Sequence, residues 1–419
     1  MTAPALDRDR TVDLAIIGGG FTGCAAALEA RRRGASVCLL EAESFGHGGS
    51  GRNVGLVNAG LWLPPEAVLA RMGERDGTRL IALLGEAPAR VFALIARAGI
   101  ACEATRAGTL HCAHSAAGLA DLRERHRQGN RFGAPLQLLD AAETARRTGT
   151  TRFHGALFDP RAGTIQPLAY CRGLARAAIA AGAVLCERSP VTGLTRRDDA
   201  WLLASRGRTV RARSLLVATN AYHLGIAAPF KPDYIPVSYC QFATAPMPQA
   251  ARARILPGGE GCWDTAPVMS SFRIDQAGRL LVGGIGNSEG PGAPIHAAWA
   301  RRKLRSLFPD LADLPFAHAW RGRIAMTGDH VPKIVAFGPR AYACFGYSGR
   351  GIGAGTVFGT QAAVALLDED PDALPITPIA HHAERFAGLR AAYYELGATL
   401  THAVSPPPFG GVPSRTSPR

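Results

Sequence analysis

A short apolar run, Val12 to Ile17, is followed at once by Gly18-Gly19-Gly20-Phe21-Thr22-Gly23. No other stretch of the chain narrows the fold as far. The run reads as a buried parallel strand. Cys24 to Arg33 reads as an alanine-rich helix stopped by Gly34, and Ser36 to Leu40 as a second strand ending at Glu41. In this order the glycines have separate tasks. Gly18 admits the tight turn, Gly20 lets the backbone approach a pyrophosphate, and Gly23 brings helix and strand close. The helix start supplies free amides and a positive dipole end. Glu41, 18 residues beyond Gly23, stands where an acid accepts hydrogen bonds from ribose hydroxyls. An ordinary glycine-rich turn would explain the glycines but leave Glu41 without a task. The segment predicts an α/β dinucleotide-binding domain.

Composition removes several function classes. With 419 residues, two or three domains or one large composite unit are expected. Hydrophobic residues are 47% and charged ones 19%, which suits a sizeable core. Apolar runs are interrupted well short of the roughly 20 residues of a membrane span. Mostly polar residues precede Leu14, and the run that follows is too short for a signal-peptide core, so a cytoplasmic location is expected. The net charge is +14, but only Lys231, Lys303 and Lys333 are lysines and the arginines are scattered. A nucleic-acid binder would gather them in a stripe, so nucleic acid is not an expected partner, while anionic ligands stay open. The nine cysteines include no Cys-x-x-Cys pair, and no metal site is expected.

Further along, residues 46–55 are dense in glycine and read as a loop lying close to something flat or charged. Residues 70–98 read as helix, 237–285 as antiparallel strands, and His318 to Thr327 as a strand. Strand Tyr342–Phe345, the turn Gly346-Tyr347-Ser348-Gly349-Arg350-Gly351 and a helix from Ile352 to Leu367 close the structured part. After Val404 a proline-rich tail is expected to be disordered.

Five stretches together resemble the FAD-dependent D-amino-acid-oxidase-like amine oxidoreductases, with the γ-glutamylputrescine-oxidase-like subgroup nearest. They are Gly18–Gly23 with Glu41, Gly49–Asn53, Leu215–Tyr222, Trp320–Thr327 and Gly346–Gly351, and the likeness runs from about Asp13 to Leu367. The resemblance implies a Rossmann-like, glutathione-reductase-type FAD-binding domain over 1–75, 145–225 and 335–370. It also implies a discontinuous α+β substrate domain, built on a mixed antiparallel sheet, over 76–144 and 226–334, then a C-terminal helix in 371–403 and the tail 404–419. FAD would be held without a covalent link by Gly18, Gly20, Phe21, Thr22, Gly23, Glu41, Ser50, Gly51, Arg52, Asn53, Val54, Thr219, Asn220, Gly322, Gly346, Tyr347, Ser348, Gly349, Arg350, Gly351 and Ile352. Where covalent relatives carry a linking His or Cys, this chain has Asn53 and Ile324. The late helix would point its N-terminal dipole at the flavin edge that gains charge on reduction.

The chemistry so implied is oxidation of a C–N bond. Hydride passes from carbon to flavin N5, and the imine hydrolyses. The partners would be a small amine or amino-acid-like substrate and then O2 or another electron acceptor; the oligomeric state stays open. A binding or regulatory flavoprotein and a D-amino-acid or N-methyl-amino-acid dehydrogenase are the alternatives; a nicotinamide enzyme would not need the second glycine loop and the late helix. Relatives pin the substrate carboxylate with a basic residue at positions that match Ile324 or Gly353 here, and neither is basic. Either the reacting amine has no adjacent carboxylate or another arginine has taken over. Arg52, Arg273, Arg323 and Arg350 are candidates, with Tyr239, Gln241 and Tyr347 as further pocket residues. The family usually has His at the position of Arg350, where an arginine could bind an anion, raise the flavin potential or face solvent.

Overall fold

Two eight-stranded sheets organise the chain in the computed structural model, which describes residues 3–405. The first runs, in spatial order, Lys333–Gly338, Ala341–Phe345, Arg208–Val217, Arg10–Ile17, Val37–Leu40 and Val184–Cys186. The last five are parallel, Lys333–Gly338 is antiparallel, and a Gly193–Arg197/Ala200–Ser205 pair extends Arg208–Val217. Both faces are covered, which explains the unbroken apolar run of the first strand. Leu14 and Ile16 pack with the helical layer of Phe21–Arg32, Pro167–Ala180 and Gly351–Asp368. Ala15 and Ile17 pack on the opposite side with Leu203, Val335 and Phe345.

The second sheet is mostly antiparallel, in the order Phe316–Met326, Ile235–Pro246, Arg279–Ile285, Ser270–Ile274, Gly261–Asp264, Thr109–Cys112, Ala156–Asp159, Gln137–Leu139. Gly261–Asp264 and Thr109–Cys112 form its parallel pair. Period-two alternation divides its residues. Cys240, Phe242, Phe272 and Val282 pack beneath Trp299 and Leu304 of the helix Ala293–Leu307, while Tyr239, Gln241 and Ser271 face a cavity. The α/β architecture is thus the expected one: a Rossmann-like unit joined to a mixed sheet.

Several local features differ from the sequence reading. Ala156–Asp159, inside the 145–225 segment expected in the nucleotide-binding domain, pairs into the second sheet. Within the 46–55 loop, Gly49–Arg52 form one helical turn that Asn53 caps, its Nδ2 donating to the Gly49 and Ser50 carbonyls. The helical stretch 70–98 is two helices, Pro65–Gly85, kinked at Gly73, and Ala87–Arg97. The C-terminal helix is Ala387–Val404, since Pro371, Pro375 and Pro378 break any earlier one. The expected tail from 406 on lies outside the described residues. No described helix is long and apolar enough to cross a membrane.

A close junction joins the two ends of the unit built on the first sheet. Helix Gly351–Asp368 crosses helix Phe21–Arg32 so closely that a Cβ on Gly359 would lie 2.0 Å from the Thr22 carbonyl oxygen. Backbone cannot yield there as a flexible side chain would. Gly359→Val should therefore destabilise the folded protein by at least about 2 kcal/mol, more than the few tenths by which Val exceeds Gly in helix propensity. Thermal unfolding checks this; an unchanged midpoint would mean that the helices separate freely.

Candidate active site

A cavity of about 650 Å³ lies between the two sheets. At one end it meets the first βα turn. Gly18, at φ 108°, makes the turn, and a Cβ on it would press 2.9 Å from the Ala218 carbonyl oxygen. A Cβ on Gly20 would sit 2.8 Å from Ser50 Oγ, which itself accepts the Phe21 amide at 3.0 Å. Gly23 and Gly51 are packing glycines outside the cavity lining: added Cβ atoms would meet the Gly18 and Gly46 carbonyl oxygens at 2.0 and 2.3 Å. Glu41 accepts the Gly19 amide at 2.6 Å through Oε2 and the Glu43 amide at 2.9 Å through Oε1. Burial pushes its carboxyl above the usual range, and those two amides oppose the shift.

At the other end the turn Gly346–Arg350 leads into the late helix. Gly346, Ser348 and Gly349 all have left-handed backbone, at φ 81°, 46° and 90°. Ser348 is the strained one. It is held by its Oγ, which donates to the Gly346 carbonyl at 3.2 Å and accepts the Thr327 amide at 3.3 Å. Asn220, also left-handed, accepts the Gly346 amide on Oδ1 at 3.0 Å. The Tyr347 hydroxyl bonds Thr22 Oγ1 at 2.9 Å, and burial pushes its pKa upward. Tyr347 thereby ties the turn to the helix Phe21–Arg32. Thr219 donates to His223 Nδ1 at 2.9 Å, because Nε2 must carry the proton that faces the Ile226 carbonyl at 2.7 Å.

The four candidate arginines part company. Arg273 does not line the cavity: it is buried, and its Nε binds the Val54 carbonyl behind Gly55. Arg52 lines the cavity, but its Nε donates to the His47 carbonyl at 2.6 Å and its Nη1 to the Arg321 carbonyl at 3.1 Å. Arg323 is exposed at the rim, 5.2 Å over the Tyr222 ring. Arg350 stacks 4.6 Å over Trp263 and reaches the Ala59 carbonyl only at 3.5 Å. Burial, with repulsion from Arg125, lowers its pKa to about 10, so it stays charged at neutral pH. Arg350 and Trp263 also line a second cavity of about 430 Å³, beside Arg125 and a His111 that burial keeps neutral.

The sheet face opposite the glycine loops carries Tyr239 and Gln241. Both are buried, and their Oη and Oε1 atoms have no hydrogen-bond partner. Glycines on the neighbouring strands make room for them. A Cβ on Gly322 would lie 2.1 Å from Tyr239 Oη, and one on Gly283 would lie 2.1 Å from Gln241 Oε1. Of the remaining expected residues, Val54, Gly351 and Ile352 line the cavity, and Gly346 lies just behind it. Trp62, Trp263, Met269 and Tyr394 also line it and carry no motif that would single them out in the sequence.

The chain is similar to known flavoenzymes over most of its length. The family model described as DAO, FAD dependent oxidoreductase, matches residues 13–364. A probable oxidoreductase OrdL from Rhizobium meliloti is 32% identical over 83% of this chain and 81% of its own. The gamma-glutamylputrescine oxidoreductase of Escherichia coli is 30% identical over 83% and 82%. The crystal structure of glycine oxidase from Geobacillus kaustophilus superposes with a TM-score of 0.75 at 21% identity, covering 90% of this chain and all of that one.

The chain therefore belongs to the DAO family of FAD-dependent oxidoreductases. FAD is its cofactor and it is a flavoprotein oxidoreductase. Neither Asn53, whose amide nitrogen is committed to two carbonyls, nor the aliphatic Ile324 can bond covalently to a flavin. Acid precipitation should release all yellow colour into the supernatant; absorbance retained in the pellet would contradict this.

Proposed function

We propose that the cavity oxidises a C–N bond of an amine that carries an acid group away from the reacting carbon. The observation behind this reading is the pair of unpartnered buried atoms, Tyr239 Oη and Gln241 Oε1, on the sheet face. A buried polar atom without a partner costs roughly 1–3 kcal/mol, so Gln241 Oε1 favours a ligand N–H, and the Tyr239 hydroxyl, which donates and accepts, favours a polar ligand group. The cavity's carboxylates among the described residues, Glu41 and Glu43, lie at the phosphate-loop end. A neutral amine thus meets neutral partners at the sheet. The relatives named for glycine and γ-glutamylputrescine support the amine class.

The residues present fit FAD. The turn Gly18–Phe21 with its helix start suits the pyrophosphate, Glu41 the ribose, and the turn Gly346–Ile352 with Gly322 the ring end. Gly23 and Gly51 bring the backbone together behind them, and Asn53, Thr219 and Asn220 fix the loops. Bound FAD supplies a two-electron acceptor for the carbon next to nitrogen. The chain does the rest. Tyr239 and Gln241 orient the amine, the apolar walls exclude water, and the fixed charge of Arg350 holds a distant anion.

The missing cations at 324 and 353 favour a remote acid over an α-carboxylate. Ile324 is an apolar part of the cavity wall. Gly353 has no room for a longer side chain, since even a Cβ would press 3.0 Å from Ala87 Cβ. Arg350, stacked on Trp263 without a contacting carboxylate, is the cation best placed for an anion, and the second cavity gives a tail somewhere to lie.

Three measurements test these assignments. Glu41→Ala should purify with much less flavin, because a charge-assisted hydrogen bond contributes roughly 1.5–3 kcal/mol; unchanged flavin content would remove Glu41 from the ribose. Anaerobic bleaching should be faster with γ-glutamylated diamines than with glycine, sarcosine or D-alanine. Arg350→Gln should raise KM for the acid-bearing amines by roughly 10- to 100-fold and leave the plain diamine unaffected. Rapid bleaching by glycine or sarcosine alone would overturn the substrate class.

A further inference from the structure

The helix Ala387–Val404 lies beyond residues 13–364, the part shared with the family. Its inner side is firmly seated. Ala387, Ala391 and Tyr394 pack against Ile235, Val237 and Met326 of the substrate sheet. His402 is fully buried, stacked 3.9 Å from Trp299 and 2.8 Å from His296 Nδ1. Glu395 accepts the Asn287 amide at 3.0 Å and faces His296 Nε2 at 3.2 Å. The helix is therefore a fixed part of the wall, and its outer side is a defined surface.

That outer side is apolar from end to end. Phe386, Leu389, Tyr393, Leu396, Leu400 and Val404 are 60–75% exposed. Their spacing, three, four, three, four and four, keeps them on one side of the helix, as in a seam that pairs with another helix. The other exposed positions between 386 and 404 are glycine or alanine, so no charge interrupts the face and a second helix can approach closely. Such a continuous stripe is unusual on a monomer's surface.

We propose that this face is the seam of a homodimer, two copies packing helix Ala387–Val404 against its equivalent about a two-fold axis. Three observations select a second copy. The stripe is uniform along its length, so it complements itself when reversed, as a two-fold interface requires. Six side chains at roughly 100 Å² of apolar area each give on the order of 1,200 Å² over both copies, the lower end of stable interfaces. A membrane-surface helix would turn a Lys/Arg-rich face to the solvent, whereas here the polar side is turned inward through Glu395 and His402, and Arg390 is paired with Glu384. The same helix places Tyr394 in the cavity wall, so the seam backs the active site.

Sedimentation velocity of the FAD-loaded chain at micromolar concentration should show a dimer. Leu396→Glu/Leu400→Glu should weaken association by roughly 100-fold or more while flavin content stays unchanged and the circular dichroism spectrum remains that of the folded chain. If that variant does not fold, Leu396→Cys is the second probe: the nine native cysteines are all buried, so a bifunctional maleimide should link two copies through position 396. A wild-type monomer, or a charge variant that dimerises as well as wild type, would overturn the seam. Dimerisation only after truncation at Ser405 would show that the chain's own end covers the face. Monomers that co-sediment with phosphatidylglycerol vesicles, and lose this in the charge variant, would replace the second copy by a membrane.

Discussion

The contact on which the site depends is the one at Thr22. Its carbonyl oxygen faces Gly359 across the helix crossing, and its hydroxyl binds Tyr347 at 2.9 Å. The helix Phe21–Arg32 and the late turn, 325 residues apart in sequence, are thereby held in one rigid unit. A second tie joins Tyr170 Oη to Thr356 Oγ1 at 3.1 Å in the same layer. Each hydrogen bond contributes only about 1 kcal/mol net. Their value is geometric: the two ends of a long cofactor must be presented to one cavity at fixed separation, and interiors packed without voids transmit that fixity.

The first βα unit was legible because its signals are local. Strand, glycines, helix, second strand and acid follow one another, and each has a backbone reason visible in the sequence. The late turn was legible for the same cause, with Gly346 and Gly349 at positive φ. Ser348 was not recognisable as a third left-handed residue, since its conformation rests partly on the Thr327 amide, which follows another strand 21 residues away. That Ala156–Asp159 pairs into the second sheet was equally hidden. A short apolar strand carries no label for the sheet it joins, and pairing partners are set by tertiary packing.

The arginines show the same limit from another side. Arg52, Arg273, Arg323 and Arg350 look alike as residues in glycine-rich or strand contexts. Their fates separate only once the carbonyls around them are known: Arg273 and Arg52 are taken up by backbone oxygens, Arg323 by a rim aromatic. Register, which a period-two pattern leaves open by one residue, decided that Tyr239 and Gln241 face inward.

Charge and vacancy then share the work of selection in the cavity. Gly283 and Gly322 act by having no side chain, since any Cβ there would displace Gln241 or Tyr239. Arg350 acts by keeping its charge where burial and Arg125 both disfavour it. Arg350 is half-buried, Asp159 offsets part of the cost of its charge and no carboxylate contacts it, so an anion that settles beside it recovers the remainder. On the proposed reading, the neutral groups at the sheet and Arg350, with Arg125 beside it, would take the two ends of a ligand by opposite means. The distance between those ends, more than the identity of either, is what such a site can measure.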